Sequence, residues 1–243
     1  MKSRVLQPLL AALALVVTAC ANPVAPPLQA PPQPQDSLQS RPWLRGFTVI
    51  PHNEHTAIGH LESGDGAMIG SGVLIAPDAV LTAGHCVDGE TPPEYFVTNG
   101  QCYRIFKIIV HPLYKVEGVM LFDVAILILE EPCSEPPLAI SSTMPKRYDR
   151  ITTIGWGGGI KKISNPDTFW HYGILTDDPL YFRFLTLDGT VWFGDSGGAV
   201  TDSEGQLVGI ISSMIAQRGR IFENCAIRID LLREWIAQTL SQN

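Results

Sequence analysis

A chain of 243 residues, 45% apolar and only 17% charged, has the material for a large buried core, as one unit or as two halves of about 100 residues each. The formal net charge is −7 and no block of Lys or Arg occurs, which argues against nucleic-acid binding through a basic face. Nothing in the composition calls for a cofactor.

The first segment, residues 1–19, is a different material from the rest. Lys2 and Arg4 give a basic start, and the fifteen residues from Val5 to Ala19 are apolar apart from Gln7, Pro8 and Thr18. A membrane span needs about 20 residues, so the run predicts a signal-peptide core. Its end, Val17-Thr18-Ala19-Cys20, resembles the lipobox of bacterial lipoproteins, in which the cysteine is lipidated. Ala19-Cys20-Ala21 also fits an ordinary secretory cleavage site. Residues 20–45 are proline-rich with little apolar bulk, which predicts an extended tether or propeptide. A spacer behind a lipid anchor favours a protein tethered to the bacterial cell envelope, with secretion as the alternative. Export would place Cys86, Cys102, Cys133 and Cys225 in an oxidising compartment, where disulfides form; four cysteines allow three pairings.

From residue 46 onward the pattern is short strands and frequent turns. "SGVLIA" and "AVLTA", split by Pro77-Asp78, predict a hairpin. "RIFKIIV" and "DVAILIL" predict further strands, as do "GAVTD" and "QLVGIISSM" on either side of a turn at Ser203-Glu204-Gly205. At the end, Asp230 is placed to cap a helix in which Leu232, Trp235, Ile236, Thr239 and Leu240 share one face. The expected architecture is all-β, a barrel or sandwich pair, with one terminal helix. The glycines of "GWGGG" (155–159) lack the spacing of a nucleotide loop. His52, His55 and His60 match no zinc-protease spacing, so no metal is expected.

"FGDSGGAV" (193–200) poses the functional question, because a serine hydroxyl is a weak nucleophile that needs a base and a group to orient the base. His85 lies in "LTAGHCV" and Asp123 in "FDVAIL", and the order His, Asp, Ser is one of the few known for such triads. "TAGHC", "DVAIL", "IGWG" and "GDSGG", in that order over residues 46–240, resemble the chymotrypsin/trypsin family of serine proteases.

The resemblance implies two six-stranded antiparallel β-barrels with the active site in the cleft between them. It implies that His85 is the general base, Asp123 its orienting partner and Ser196 the nucleophile. Gly194 and Ser196 would supply the oxyanion-hole N–H groups, and Ser212 would hydrogen-bond the aspartate. Thr190 falls at the base of the substrate pocket, with Met214 and Asn224 on its walls, which disfavours a Lys or Arg side chain and suggests small or medium apolar ones. The partner is then a protein or peptide substrate.

Two departures stand out. The cysteine that bridges to Cys86 in the family is missing, its place falling near Gly70. The family also pairs the aspartate before the serine, here Asp195, with a newly cut chain terminus, yet no Ile-Val-Gly-Gly segment exists. Cleavage at Arg45-Gly46 is well placed to supply that ammonium. The alternative is a side chain, with His171, Lys161 and Lys162 as candidates. A catalytically silent protease-fold binding or adhesion module is the competing function.

Overall fold

The computed structural model describes residues 44, 46–116, 119–120, 122–146, 149–164, 169–171, 181–185, 191–217 and 220–243. The signal segment, Cys20 and the tether, and also Arg45 and Thr190, lie outside these. The chain enters through β1 (Phe47–Val49). Six strands then close into a barrel: β2 (Ile58–Glu62), β3 (Met68–Ala76), β4 (Ala79–Thr82), β5 (Tyr95–Thr98), β6 (Gln101–Val110) and, after a two-stranded ribbon of β7 (Lys115–Val116) and β8 (Val119–Met120), β9 (Ala125–Leu129). The hairpin around Pro77-Asp78 forms as expected, with Val73 opposite Leu81. β4 and β9 are neighbours in the barrel wall and every one of their residues is buried, which is why both read as nearly unbroken apolar runs.

The second half holds β10 (Thr152–Gly155), β11 (Lys162–Ser164), β12 (Phe169–His171), β13 (Tyr181–Leu185), β14 (Ala199–Thr201), β15 (Leu207–Gln217) and β16 (Arg220–Arg228). This half takes the place of the expected second barrel, with its sheet left open. Among the described residues these strands form one eight-stranded sheet, in the order β1-β11-β10-β14-β15-β16-β13-β12, with no closing ladder. The extra strands sit at its two edges: β1 pairs with β11, and β12 with β13. The overall arrangement is nevertheless that of a two-barrel protein with a terminal helix. Ile154, Ala199, Leu207, Ile210 and Ile227 of this sheet share one apolar core with Leu74, Leu81 and Ile126 of the first barrel.

The helix α1 spans Arg233–Ser241 and buries Ile236 and Thr239. Asp230 does not cap it: the capping position is Leu232, with no side-chain bond, and the Asp230 carboxylate is taken by Arg228 at 2.7 Å. The ion pair two residues upstream outcompetes the bare helix N–H groups for that carboxylate.

The expected disulfides are also corrected. No disulfide joins any two of Cys86, Cys102, Cys133 and Cys225. They sit on four separate segments, a short helical turn, β6, the chain after β9, and β16, and only three of them are buried. Gly70 does face Cys86: a Cβ placed on it would lie 2.7 Å from the Cys86 Sγ. The bridging position is thus where the sequence puts it, but it carries no side chain.

Candidate active site

His85 sits on the short turn Gly84–Cys86 directly after β4, and Asp123 stands two residues before β9. Pairing of those neighbouring strands, with Thr82 opposite Ala125, brings the two residues together although 38 positions separate them. His85 Nδ1 lies 2.7 Å from Asp123 Oδ2, and the His85 backbone N–H donates to Oδ1 at 2.8 Å. Ser212, on β15, donates its hydroxyl to Oδ2 at 2.6 Å. Asp123 is fully buried, while the His85 side chain keeps 35% exposure.

The electrostatics follow from that difference. Burial alone would push the Asp123 carboxyl up, but the hydrogen bond and charge of His85, then the Ser212 hydroxyl, hold it below the usual carboxylate range. Burial disfavours the charged form of His85, yet the bond to Asp123, the neighbouring Cys86 and the Asp123 charge raise its pKa well above the ordinary value.

Ser196 lies within the turn that "FGDSG" makes ahead of β14. Two glycines are required there. Gly194 has φ of +98°, and a Cβ on it would meet Met68 Cε at 2.6 Å and the Trp156 carbonyl at 2.8 Å. Gly197 has φ of +85°, and a Cβ on it would collide with the Ser71 carbonyl and the Thr82 hydroxyl. The Ser196 hydroxyl donates to the Ser212 carbonyl at 3.3 Å, and its own carbonyl accepts the Ser71 N–H at 2.7 Å. Among the described residues, neither the Gly194 nor the Ser196 N–H donates to another protein group.

Ser71 was not singled out from the sequence, where only its place between two glycines in an apolar strand marks it. It is fully buried; its hydroxyl donates to the Gly194 carbonyl at 2.7 Å and accepts the Trp156 N–H at 3.0 Å. One side chain of the first barrel thereby clamps the turn that carries Gly194 to the second half.

His85, Asp123, Ser196 and Ser212 open onto a cavity of about 460 Å³ walled by Val191, Trp192, Phe193 and Met214. Met214 therefore lies where the sequence expects a pocket wall. Asn224 is opposite it in the β15–β16 ladder, but its buried side-chain carbonyl accepts the Val191 N–H at 3.1 Å and does not line the cavity. A second hollow of about 310 Å³ lies on the other side of Ser196, bounded by Met68, Cys86, Phe193 and Gly194.

Asp195 points away from the cavity into the protein and is 1% exposed. It accepts the Gly157 N–H at 2.7 Å and the Trp192 N–H at 2.7 Å, and Lys162 Nζ stands 2.8 Å from Oδ2. Complete burial pushes this carboxyl up, against the pull of the Lys162 ammonium and the two N–H groups. Of the other cations weighed for this place, Lys161 donates instead to the His55 and His52 carbonyls at 3.1 and 3.3 Å, and burial lowers its pKa to about 8. His171 belongs to β12, opposite Arg183 in the register of β13.

A two-barrel β protein with His, Asp and Ser meeting at one cavity defines the chymotrypsin-like fold class. The comparisons make the class specific. Residues 70–210 match the trypsin-like peptidase domain, and the chain belongs to that family. It is 30% identical to a trypsin of Saccharopolyspora erythraea over 175 residues, 61% of this chain and 76% of that one. Over 235 residues it is 26% identical to granzyme M of Rattus norvegicus, covering 82% of this chain and 89% of the relative. Among solved structures it superposes on human heparin binding protein with a TM-score of 0.69 at 18% identity, over 82% of this chain and 97% of that one. It superposes on mouse neuropsin, a serine protease, at 0.68 and 20% identity, over 81% and 98%. At such identities these two share the fold.

Proposed function

We propose that the protein is a serine endopeptidase that cleaves apolar-directed peptide bonds through an acyl-enzyme. The observation that carries this reading is the His85 Nδ1–Asp123 contact of 2.7 Å at the mouth of the cavity that also holds Ser196. With Nδ1–H bound to the carboxylate, His85 Nε2 is left as the proton acceptor. In the reaction, the Ser196 Oγ attacks the substrate carbonyl carbon while its proton passes to His85. The resulting oxyanion is held by the Gly194 and Ser196 N–H groups, one such donor being worth roughly 3–4 kcal/mol. Collapse breaks the C–N bond, the leaving amine takes the proton from His85, and water repeats the sequence to free the acid. Val191, Trp192, Phe193 and Met214 favour an apolar side chain before the cleaved bond; among the described residues the carboxylate on this cavity, Asp123, is taken by His85 and Ser212 and offers no ion pair to Lys or Arg.

The test is labelling with a fluorophosphonate probe and hydrolysis of a peptide library. Ser196→Ala should lose both while unfolding at the same temperature; labelling that persists in Ser196→Ala would remove the assignment. The likeness to human heparin binding protein favours one second reading, a protease-fold module that binds without cleaving. Wild-type protein that neither labels nor hydrolyses any peptide decides for it.

The tether belongs to the same proposal. Residues 1–19 direct export and Cys20 is lipidated, holding the enzyme at the envelope. Cys20→Ala should shift the protein to the soluble fraction; wild-type protein without fatty acid by mass spectrometry leaves secretion.

A further inference from the structure

We infer that Lys162 is a built-in activating cation: its ammonium holds Asp195, and through it the oxyanion-binding turn, so that the uncut chain is already competent. This rests on the protease reading above. Three observations carry it.

First, the cation position is filled from within the fold. Lys162 Nζ reaches Asp195 at 2.8 Å with side-chain exposures of 0% and 2%, so the pair is sealed from water. The carboxylate also accepts the Gly157 N–H on Oδ1 and the Trp192 N–H on Oδ2, so three of its roughly four lone-pair sites are in use. Gly155 and Gly157 form the wall beside it, and a Cβ on Gly155 would already come within 2.6 Å of Oδ1. A second ammonium entering here would meet the one already in place and the Gly155–Gly157 backbone.

Second, the segment just after Arg45-Gly46 is already used. β1 pairs with β11 in the register Phe47–Ser164, Thr48–Ile163 and Val49–Lys162, and the Ile50 N–H donates to the Lys161 carbonyl at 3.1 Å. The ring of Phe47 covers Lys162 Nζ at 4.2 Å from its centroid, and Gly46 turns the chain with φ of +73°. The strand that cleavage would free therefore serves as the lid over the lysine.

Third, Asp195 is wired to the amides that matter. Its carboxylate and its N–H both bind Trp192, through the N–H at 2.7 Å and the carbonyl at 2.9 Å, which closes the turn 192–195 on itself. The Phe193 carbonyl accepts the Gly158 N–H at 2.9 Å and the Gly194 carbonyl is clamped by Ser71. With both carbonyls fixed, the Gly194 N–H has one direction to point. Lys162 is thus a positioning residue, acting on the reaction only through Asp195.

The experiment uses the full chain, the fluorophosphonate probe and intact-mass spectrometry of the labelled species, alongside peptide turnover. The expected result is probe on a chain in which the Arg45–Gly46 bond is whole. Probe found only on chains that begin at Gly46 overturns the inference and leaves the protease reading standing. Absence of probe from both whole and cut chains defeats the protease reading, and this inference with it. Lys162→Met keeps the length and removes the charge; kcat should fall by roughly 10²–10³, the cost of a lost oxyanion donor, with KM little changed. Lys162→Arg should recover part of kcat. If Lys162→Met does not fold, the double variant Lys162→Met/Asp195→Asn removes the stranded charge and should show the same kcat loss. A folded Lys162→Met or double variant with wild-type kcat overturns the inference.

Discussion

Asp123 and Asp195 are both buried carboxylates, yet their surroundings differ in kind. Asp123 meets a titratable partner, His85, which itself reaches the cavity, with a hydroxyl and one backbone N–H as support. Asp195 meets a lysine sealed from water, two backbone N–H groups and a wall of glycines. The first arrangement lets charge move: a proton arriving on His85 is stabilised by a carboxylate already in place. The second holds the carboxylate in one place, because its partners are a buried ammonium and two backbone N–H groups. In the proposed reaction one chemical group does two jobs, proton management at Asp123 and geometry at Asp195, and the neighbours decide which.

Asp123→Asn tests the first job most severely. An amide cannot stabilise the imidazolium and presents a donor where an acceptor is needed, so kcat should drop by roughly 10⁴. The pH profile gives the sign. His85 must be neutral to accept the serine proton, and its pKa is raised by Asp123, so wild-type activity should be lost as pH falls through a value above the ordinary histidine one of about 6.5. In Asp123→Asn the residual acid limb should move down. A limb that stays in place removes Asp123 as the source of the shift.

Lys162→Met tests the second job through stability. Stranding a buried carboxylate should cost about 3–5 kcal/mol, read as a lower urea midpoint at unchanged slope. The penalty should shrink in acid. Asp195 has a folded pKa above its unfolded one, so its neutral form stabilises below the unfolded value of about 4, and that contribution is lost as pH rises through the folded value. A midpoint equal to wild type at neutral pH would make the two carboxylates less different than described.

Smaller effects sharpen the comparison. Ser212→Ala removes one hydrogen bond to the Asp123 charge, about 1.5–3 kcal/mol, and should lower kcat by roughly ten- to hundredfold while leaving KM alone. Phe47→Ala uncovers Lys162 and should cost about 2 kcal/mol by thermal denaturation, with a smaller change in turnover. A Phe47→Ala variant as slow as Lys162→Met would mean that the lid, and not the cation, sets the turn.

Much of this was legible in the chain because its signals are local. The turn that carries Ser196 has positive φ at Gly194 and Gly197, and glycine is the residue that permits it, so "GDSGG" announces its own backbone. The hairpin at Pro77-Asp78 and the apolar stripe of the last helix are equally local, set by turn chemistry and period. Asp230 misled because two local partners compete for it, and the choice of Arg228 over the helix end depends on where β16 delivers the arginine.

By itself the sequence determined the residue set: His85, Asp123 and Ser196 in an order tied to one fold, Gly194 where a donor must approach closely, and a Gly70 that leaves Cys86 without its expected bridge. Tertiary structure alone decided between Lys161 and Lys162. Successive residues of an extended segment face opposite ways, so one of two adjacent lysines had to turn toward Asp195 and the other away. Which one depended on the register of β11 against β1 and β10, a long-range pairing that places Val49 and Gly155 opposite Lys162. A shift of one residue would have sent the wrong ammonium inward. Closure likewise belonged to the tertiary structure: the first half seals its barrel where β5 meets β2, while the second half adds β1 and β12 at its edges. Edge pairing is set by where distant strands arrive, and no local pattern in the chain encodes it.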